Sequence, residues 1–149
     1  MQDTKRICVV NSSNDWYLAK QGPECHTGIS SATTPTRSLC MHLVTIPPGG
    51  IEKAHLHRGH ETAIYQLYGQ SEVEYGDQLE HHLSLKTGQF LYIPPDLPHL
   101  PWNPSDHEPC VVIISRTDPD EQTSVVLLPE LDAFVQDRIE QMRKAMNHT

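Results

Sequence analysis

Gly50-Ile51-Glu52-Lys53-Ala54-His55-Leu56-His57 carries two histidines one residue apart. Side chains alternate across an extended segment, so His55 and His57 point to the same face and can grip one metal ion together. Further on, Gly88-Gln89-Phe90-Leu91-Tyr92-Ile93-Pro94-Pro95-Asp96-Leu97-Pro98-His99-Leu100-Pro101-Trp102-Asn103 supplies a third histidine, His99, from a strand-like run that ends in a proline-rich turn. The remaining sequence reads as a container for these three imidazoles.

The container is small. With 149 residues the chain has room for one domain with a real core and too little for two. Its 11 Lys and Arg against 19 Asp and Glu give a formal charge of −8, and no basic cluster interrupts it, so nucleic acid is excluded as a partner. No apolar run approaches the roughly 20 residues that a membrane helix needs. The first residues lead into only four apolar ones, too few for a signal peptide, so the expected setting is cytoplasmic, with no membrane partner. Cys8, Cys25, Cys40 and Cys110 are widely spaced, with no C-x-x-C pair, which reads as reduced thiols acting as small buried hydrophobes.

Residues 1–37 form an arm with one short strand candidate, Ile7 to Val10, then a turn at Asn11 to Asp15 and a Ser, Thr and Pro-rich loop from Thr27 to Arg37. From residue 38 to 128 short strands recur with turn residues between them, the pattern of a sandwich or barrel. Leu39 to Ile46 is closed by Pro47-Pro48-Gly49-Gly50. Ser71 to Tyr75, Gly76-Asp77 and Leu79 to Leu85 form a hairpin, with Val73 and Tyr75 on one face and Glu72 and Glu74 on the other. Cys110 to Ile114 and Val125 to Leu128 read as buried strands joined by a turn at Thr117-Asp118-Pro119-Asp120.

Residues 129–149 are the one helix. Pro129 fits a first turn, Glu130 and Asp132 face the positive dipole end, and Arg138, Arg143 and Lys144 lie toward the other end. Leu131, Phe134, Val135, Ile139, Met142 and Met146 make one apolar stripe, which covers the outside of the barrel or a partner subunit.

These residues resemble the two motifs of the cupins. The first, G-x5-H-x-H-x(3,4)-E-x6-G, is similar to Gly49, His55, His57, Glu61 and Gly69, with Gly50 an extra turn residue. The second, G-x5-P-x-G-x2-H-x3-N, matches Gly88, Pro94, His99 and Asn103 at every spacing, with Asp96 in place of the middle glycine. The resemblance implies an all-β fold, a double-stranded β-helix (cupin jelly-roll barrel) with a C-terminal α-helix. It also implies one divalent transition metal ion (Zn, Fe, Mn or Ni) held by His55, His57, His99 and a fourth ligand.

The fourth ligand is His60 or Glu61. Seven residues separate Glu61 from Gly69 where the motif has six, which puts Thr62 in the family's glutamate slot. Strand parity then turns His60 and Thr62 inward, and imidazole is the better ligand for a borderline metal. The opposite register turns Glu61, Ala63, Tyr65 and Leu67 inward, a more apolar set, and makes Glu61 the ligand. In the first register Gln66 becomes a buried polar group that needs a partner, and a substrate is one candidate.

The resemblance further implies a metal-dependent enzyme acting on a small organic metabolite in the barrel pocket, of dioxygenase, isomerase, lyase or cyclase type. Glu61 and Tyr92 are its candidate proton carriers. A non-catalytic module that binds a small molecule or metal is the alternative, since the fold serves both. A homodimer is the implied assembly. Single histidines are more often surface or core residues than ligands, and His26, His42, His81, His82, His107 and His148 are read that way. Trp102 and Tyr92 either line the barrel mouth or pack.

Overall fold

The computed structural model describes residues 5–11 and 16–148. In chain order its strands are β1 Tyr17–Leu18, β2 Glu24–Ile29, β3 Cys40–Ile46, β4 His55–His57, β5 Thr62–Tyr68, β6 Gln70–Tyr75, β7 His81–Lys86, β8 Phe90–Ile93, β9 His99–Trp102, β10 Cys110–Arg116 and β11 Val125–Leu127. The helix α1, Pro129–Asn147, follows. The all-β expectation with one C-terminal helix therefore holds.

The strands form two antiparallel sheets, ordered β1-β2-β3-β10-β5-β8 and β11-β4-β9-β6-β7. Alternation decides which face each residue takes. On β3, Cys40, His42, Val44 and Ile46 are buried while Met41 is exposed. Val44 and Ile46 join Cys25, Ile64, Leu85, Ile93, Cys110 and Val112 in the core between the sheets. Burial pushes the thiols of Cys25 and Cys110 up to about 12 and that of Cys40 to about 11, so all three stay protonated, and all four cysteines are free.

A second core lies outside the barrel. Ala54, Leu100 and Trp102 alternate with the inward histidines on β4 and β9 and its approach, and they meet Leu131, Val135 and Ile139 of α1. The apolar stripe thus covers the outer face of the five-stranded sheet. Trp102 packs there, away from the barrel mouth. Glu72 and Glu74 point outward on β6 as alternation requires, yet both are buried; Glu72 Oε1 accepts from Gln70 Nε2 at 2.6 Å, and Arg138 Nη2 of α1 donates to Glu74 Oε2 at 3.1 Å.

Several local expectations change. Ile7 to Val10 is not a strand; no neighbouring strand pairs with it, and Ile7 and Val9 lie exposed. The turn at Asn11 to Asp15 falls largely outside the described residues. Thr27 to Ile29 belong to β2 rather than to a loop, because β3 pairs with them through Thr27↔His42 and Ile29↔Met41. The β6–β7 hairpin closes on Tyr75↔His81, so its connection is longer than Gly76-Asp77. Gly76 (φ 110) and Leu79 (φ 52) take the positive angles in that turn.

Candidate metal centre

His55 and His57 share the inner face of β4, and His55 sits directly opposite His99 on β9. The three rings are buried, and their centroids lie 5.2 Å (His55–His57), 4.3 Å (His55–His99) and 5.7 Å (His57–His99) apart. One ligand nitrogen from each lies within 4.8 Å of the others.

Backbone contacts set the tautomers. His55 Nδ1 lies 2.7 Å from the carbonyl of Lys53, and His99 Nδ1 lies 2.9 Å from that of Leu97. A carbonyl can only accept, so each Nδ1 donates and each Nε2 keeps its lone pair for a cation. His57 Nδ1 stands 3.4 Å from Ser124 Oγ. Burial lowers all three rings' proton affinity, that of His99 to about 4 and those of His55 and His57 further, with the nearby Arg116 charge adding to each. Three neutral imidazoles with converging lone pairs fit a divalent transition metal.

The two motifs are also tied to each other. Asp96 takes the left-handed angle (φ 63) that the family motif gives to glycine, its N–H donates to His57 O at 3.1 Å, and its Oδ1 accepts from Gly59 N–H at 2.9 Å. An aspartate tolerates that angle because its carboxylate is held locally.

Neither candidate for the fourth ligand joins the three. β5 starts at Thr62 and turns Thr62, Ile64 and Gln66 inward, which is the parity of the first register. His60 precedes the strand, and its Nε2 lies 3.8 Å from Asp118 Oδ2. Glu61 is exposed, and its Oε1 accepts from Tyr92 OH at 2.9 Å. Tyr92 is itself more than half exposed, at the rim of a cavity of about 310 Å³ lined by Val73, Leu83, Leu91, Ile93, Leu97 and His99 among others. Gln66 is fully buried, but its partners are Ser71 Oγ at 2.7 Å and Tyr68 O at 2.9 Å, leaving no need for a substrate.

Two inward side chains escaped the sequence reading. His42 faces the interior of β3 with its Nδ1 buried and unpartnered, and burial holds its proton affinity down at about 4. Alternation with Cys40, Val44 and Ile46 is the signal that marks it. Arg116, the last residue of β10, is 3% exposed and donates from Nε to Thr62 Oγ1 at 3.0 Å and from Nη1 to Glu121 O at 3.3 Å. Only the β10–β5 pairing brings it to Thr62, and nothing in the local sequence announces that.

The model of the cupin domain matches residues 42–115. No curated protein sequence matches the chain. Among solved structures, oxalate decarboxylase from Lactobacillus farciminis in its formate complex superposes with a TM-score of 0.65 at 21% identity, over 86% of this chain and 40% of that one. The Bacillus subtilis oxalate decarboxylase, a protein with Mn(II) centres, gives 0.63 at 20% identity, over 81% and 33%. A Klebsiella pneumoniae protein with a double-stranded β-helix domain gives 0.59 at 16% identity, over 84% and 97%. The chain therefore spans less than half the length of the two decarboxylases, and at these identities the likeness is one of fold. No helix of the described residues is long and apolar enough to cross a membrane. With two facing antiparallel sheets, three convergent histidines and the matched domain model, the chain belongs to the cupin superfamily and has its double-stranded β-helix fold.

Proposed function

We propose that the protein is a metal-dependent cupin enzyme that acts on a small organic molecule in the barrel. The observation that carries this reading is the buried trio His55, His57 and His99, with two tautomers fixed so that ligand lone pairs converge. These three residues would hold the divalent ion. When bound, the ion supplies Lewis-acid polarisation of a substrate oxygen. The chain's own part is to keep the imidazoles neutral, to exclude bulk water by burial, and to offer the cavity beside His99 to the substrate. The exposed Tyr92–Glu61 pair at the rim is the candidate proton carrier, with the phenol donating to the carboxylate.

Metal analysis tests the reading. Protein purified without added metal and then dialysed against one divalent ion retains about one ion per chain. His55→Ala and His99→Ala both lose it; stoichiometric metal in both folded variants sinks the proposal.

The same reading includes a homodimer and a reducing, cytoplasmic setting. Met41, Leu67 and Phe90 project from the outer face of the six-stranded sheet, which no helix of the described residues covers, and Phe90 is 81% exposed. Three buried free thiols suit a reducing compartment. Sedimentation velocity at micromolar concentration gives a dimer; a single monomeric species refutes the assembly.

A further inference from the structure

We propose that Tyr75 selects the ligand of the cavity beside His99, and that this ligand is an uncharged single-ring molecule carrying one carbonyl or hydroxyl oxygen. The proposal rests on the reading of that site given above and names the class of molecule it takes.

Three cross-strand pairs set four side chains in one row. His55 stands opposite His99, His99 opposite Tyr75, and Tyr75 opposite His81. Residues directly opposite on antiparallel strands project from the same face, with Cβ atoms about 5 Å apart. Tyr75 is therefore the inward neighbour of His99 on β6, the next side chain in that row beyond His55 and His99. Burial falls along the row: His55 and His99 are buried, Tyr75 is half-buried and His81 is exposed. The row leads from the histidine trio to solvent, with the phenol at the threshold. The His81 ring packs against it on the exposed side, at 5.2 Å between centroids and 33° between planes.

Tyr75 and His99 are both walls of the cavity of about 310 Å³, so the space for a ligand lies against them. The aliphatic walls are Val73, Leu83, Leu91, Ile93, Pro94 and Leu97, and no Asp, Glu, Lys or Arg is among the lining residues. A charged ligand would lose water there without gaining a counter-charge from the chain, and an uncharged one avoids that penalty. Small-molecule pockets run from about 300 to 1,000 Å³, so this one, at the lower end, takes one ring with a short substituent rather than a fused ring system.

One hydroxyl of the lining is uncommitted. Tyr92 OH already donates to Glu61. No group of the described residues makes a hydrogen bond with Tyr75 OH. A phenol both donates and accepts, so it matches a single carbonyl or hydroxyl oxygen on the ligand. Because Tyr75 stands opposite His99, that oxygen lies on the side of the cavity nearest the trio, and the ring lies among the aliphatic walls.

The test titrates the full-length chain, zinc-loaded and chelator-treated, with acetophenone, its oxygen-free isostere 2-phenylpropene, and benzoate, followed by ligand-observed NMR. Acetophenone binds saturably to both forms. Tyr75→Phe keeps one zinc per chain, weakens acetophenone about fivefold, and leaves 2-phenylpropene within about twofold. Benzoate binds the chelator-treated chain at least about tenfold more weakly than acetophenone. Should Tyr75→Phe not fold, intermolecular NOEs in the unaltered protein decide: they run from the acetophenone methyl group to the Tyr75 ring and from its ring to the Leu83 and Leu91 methyl groups. Absence of saturable acetophenone binding, equal loss of both neutral probes in Tyr75→Phe, or NOEs to other residues overturns the proposal, and benzoate binding as tightly as acetophenone overturns the uncharged class. Failure to take up zinc overturns the metal reading, and the chelator-treated titrations then decide the ligand class by themselves.

Discussion

Cutting Trp102 back to alanine lowers the unfolding free energy by about 4 kcal/mol. Its indole is fully buried on the outer face of β9, in the cluster with Leu100, Leu131, Val135 and Ile139, so truncation opens a large apolar void between sheet and helix. It also removes a hydrogen bond. Trp102 Nε1 donates to Glu74 Oε1 at 3.1 Å, and the same buried carboxylate is met by His82 Nδ1 at 2.5 Å and by Arg138 of α1. The buried Glu74 side chain is then left with one donor fewer, which adds to the loss from packing. Urea denaturation measures the effect; a loss under about 1.5 kcal/mol means that the helix does not depend on this contact.

Acid weakens the metal-free protein, and the buried imidazoles are the reason. His42 and His99 are each held at about 4, against an unfolded value of about 6.5. Between those values the unfolded chain binds a proton that the folded chain refuses, so stability rises with pH across that window and falls as pH drops below about 6.5. Each of the two groups removes about 2 kcal/mol between pH 7 and pH 5, from the same linkage. His55 and His57, lowered further, act in the same direction. The checking experiment is urea denaturation of chelator-treated protein at both pH values, with His42→Leu as a comparison. A pH-independent midpoint contradicts the assignment of neutral buried rings, and His42→Leu is expected to flatten the dependence.

The sequence is most legible where spacing alone carries the information. His55, His57 and His99 can be paired with motif positions by counting, and their convergence needs only strand alternation and one crossing between β4 and β9. The C-terminal helix is readable for the same reason, since Leu131, Val135 and Ile139 recur at four-residue spacing and all three are buried. β2 is not readable: Glu24-Cys25-His26-Thr27-Gly28-Ile29 has no apolar alternation, and it is a strand because β3 offers it an edge. Arg116 is harder still. It ends an apolar strand and looks like a surface charge until β10 sets it beside Thr62.

The fourth-ligand question shows where counting stops. The one-residue excess before Gly69 points to the register with Thr62, Ile64 and Gln66 inward, and these three are the buried side chains of β5. What counting does not supply is that the chain between His57 and Thr62 leaves the sheet through Arg58-Gly59, where Gly59 takes φ 73 and the Gly59 N–H is held by Asp96. That excursion carries His60 toward Asp118 and leaves Glu61 to Tyr92 at the rim.

The outer nitrogens of His55 and His99 each lean on the peptide oxygen two positions upstream, where many metalloproteins use an acidic side chain for the same purpose. A peptide oxygen draws the ring proton less strongly than an anion does, so both rings stay comparatively electron-poor. A cation bound to electron-poor donors keeps more of its own electrophilicity, and its appetite for one further negatively charged oxygen is correspondingly sharper.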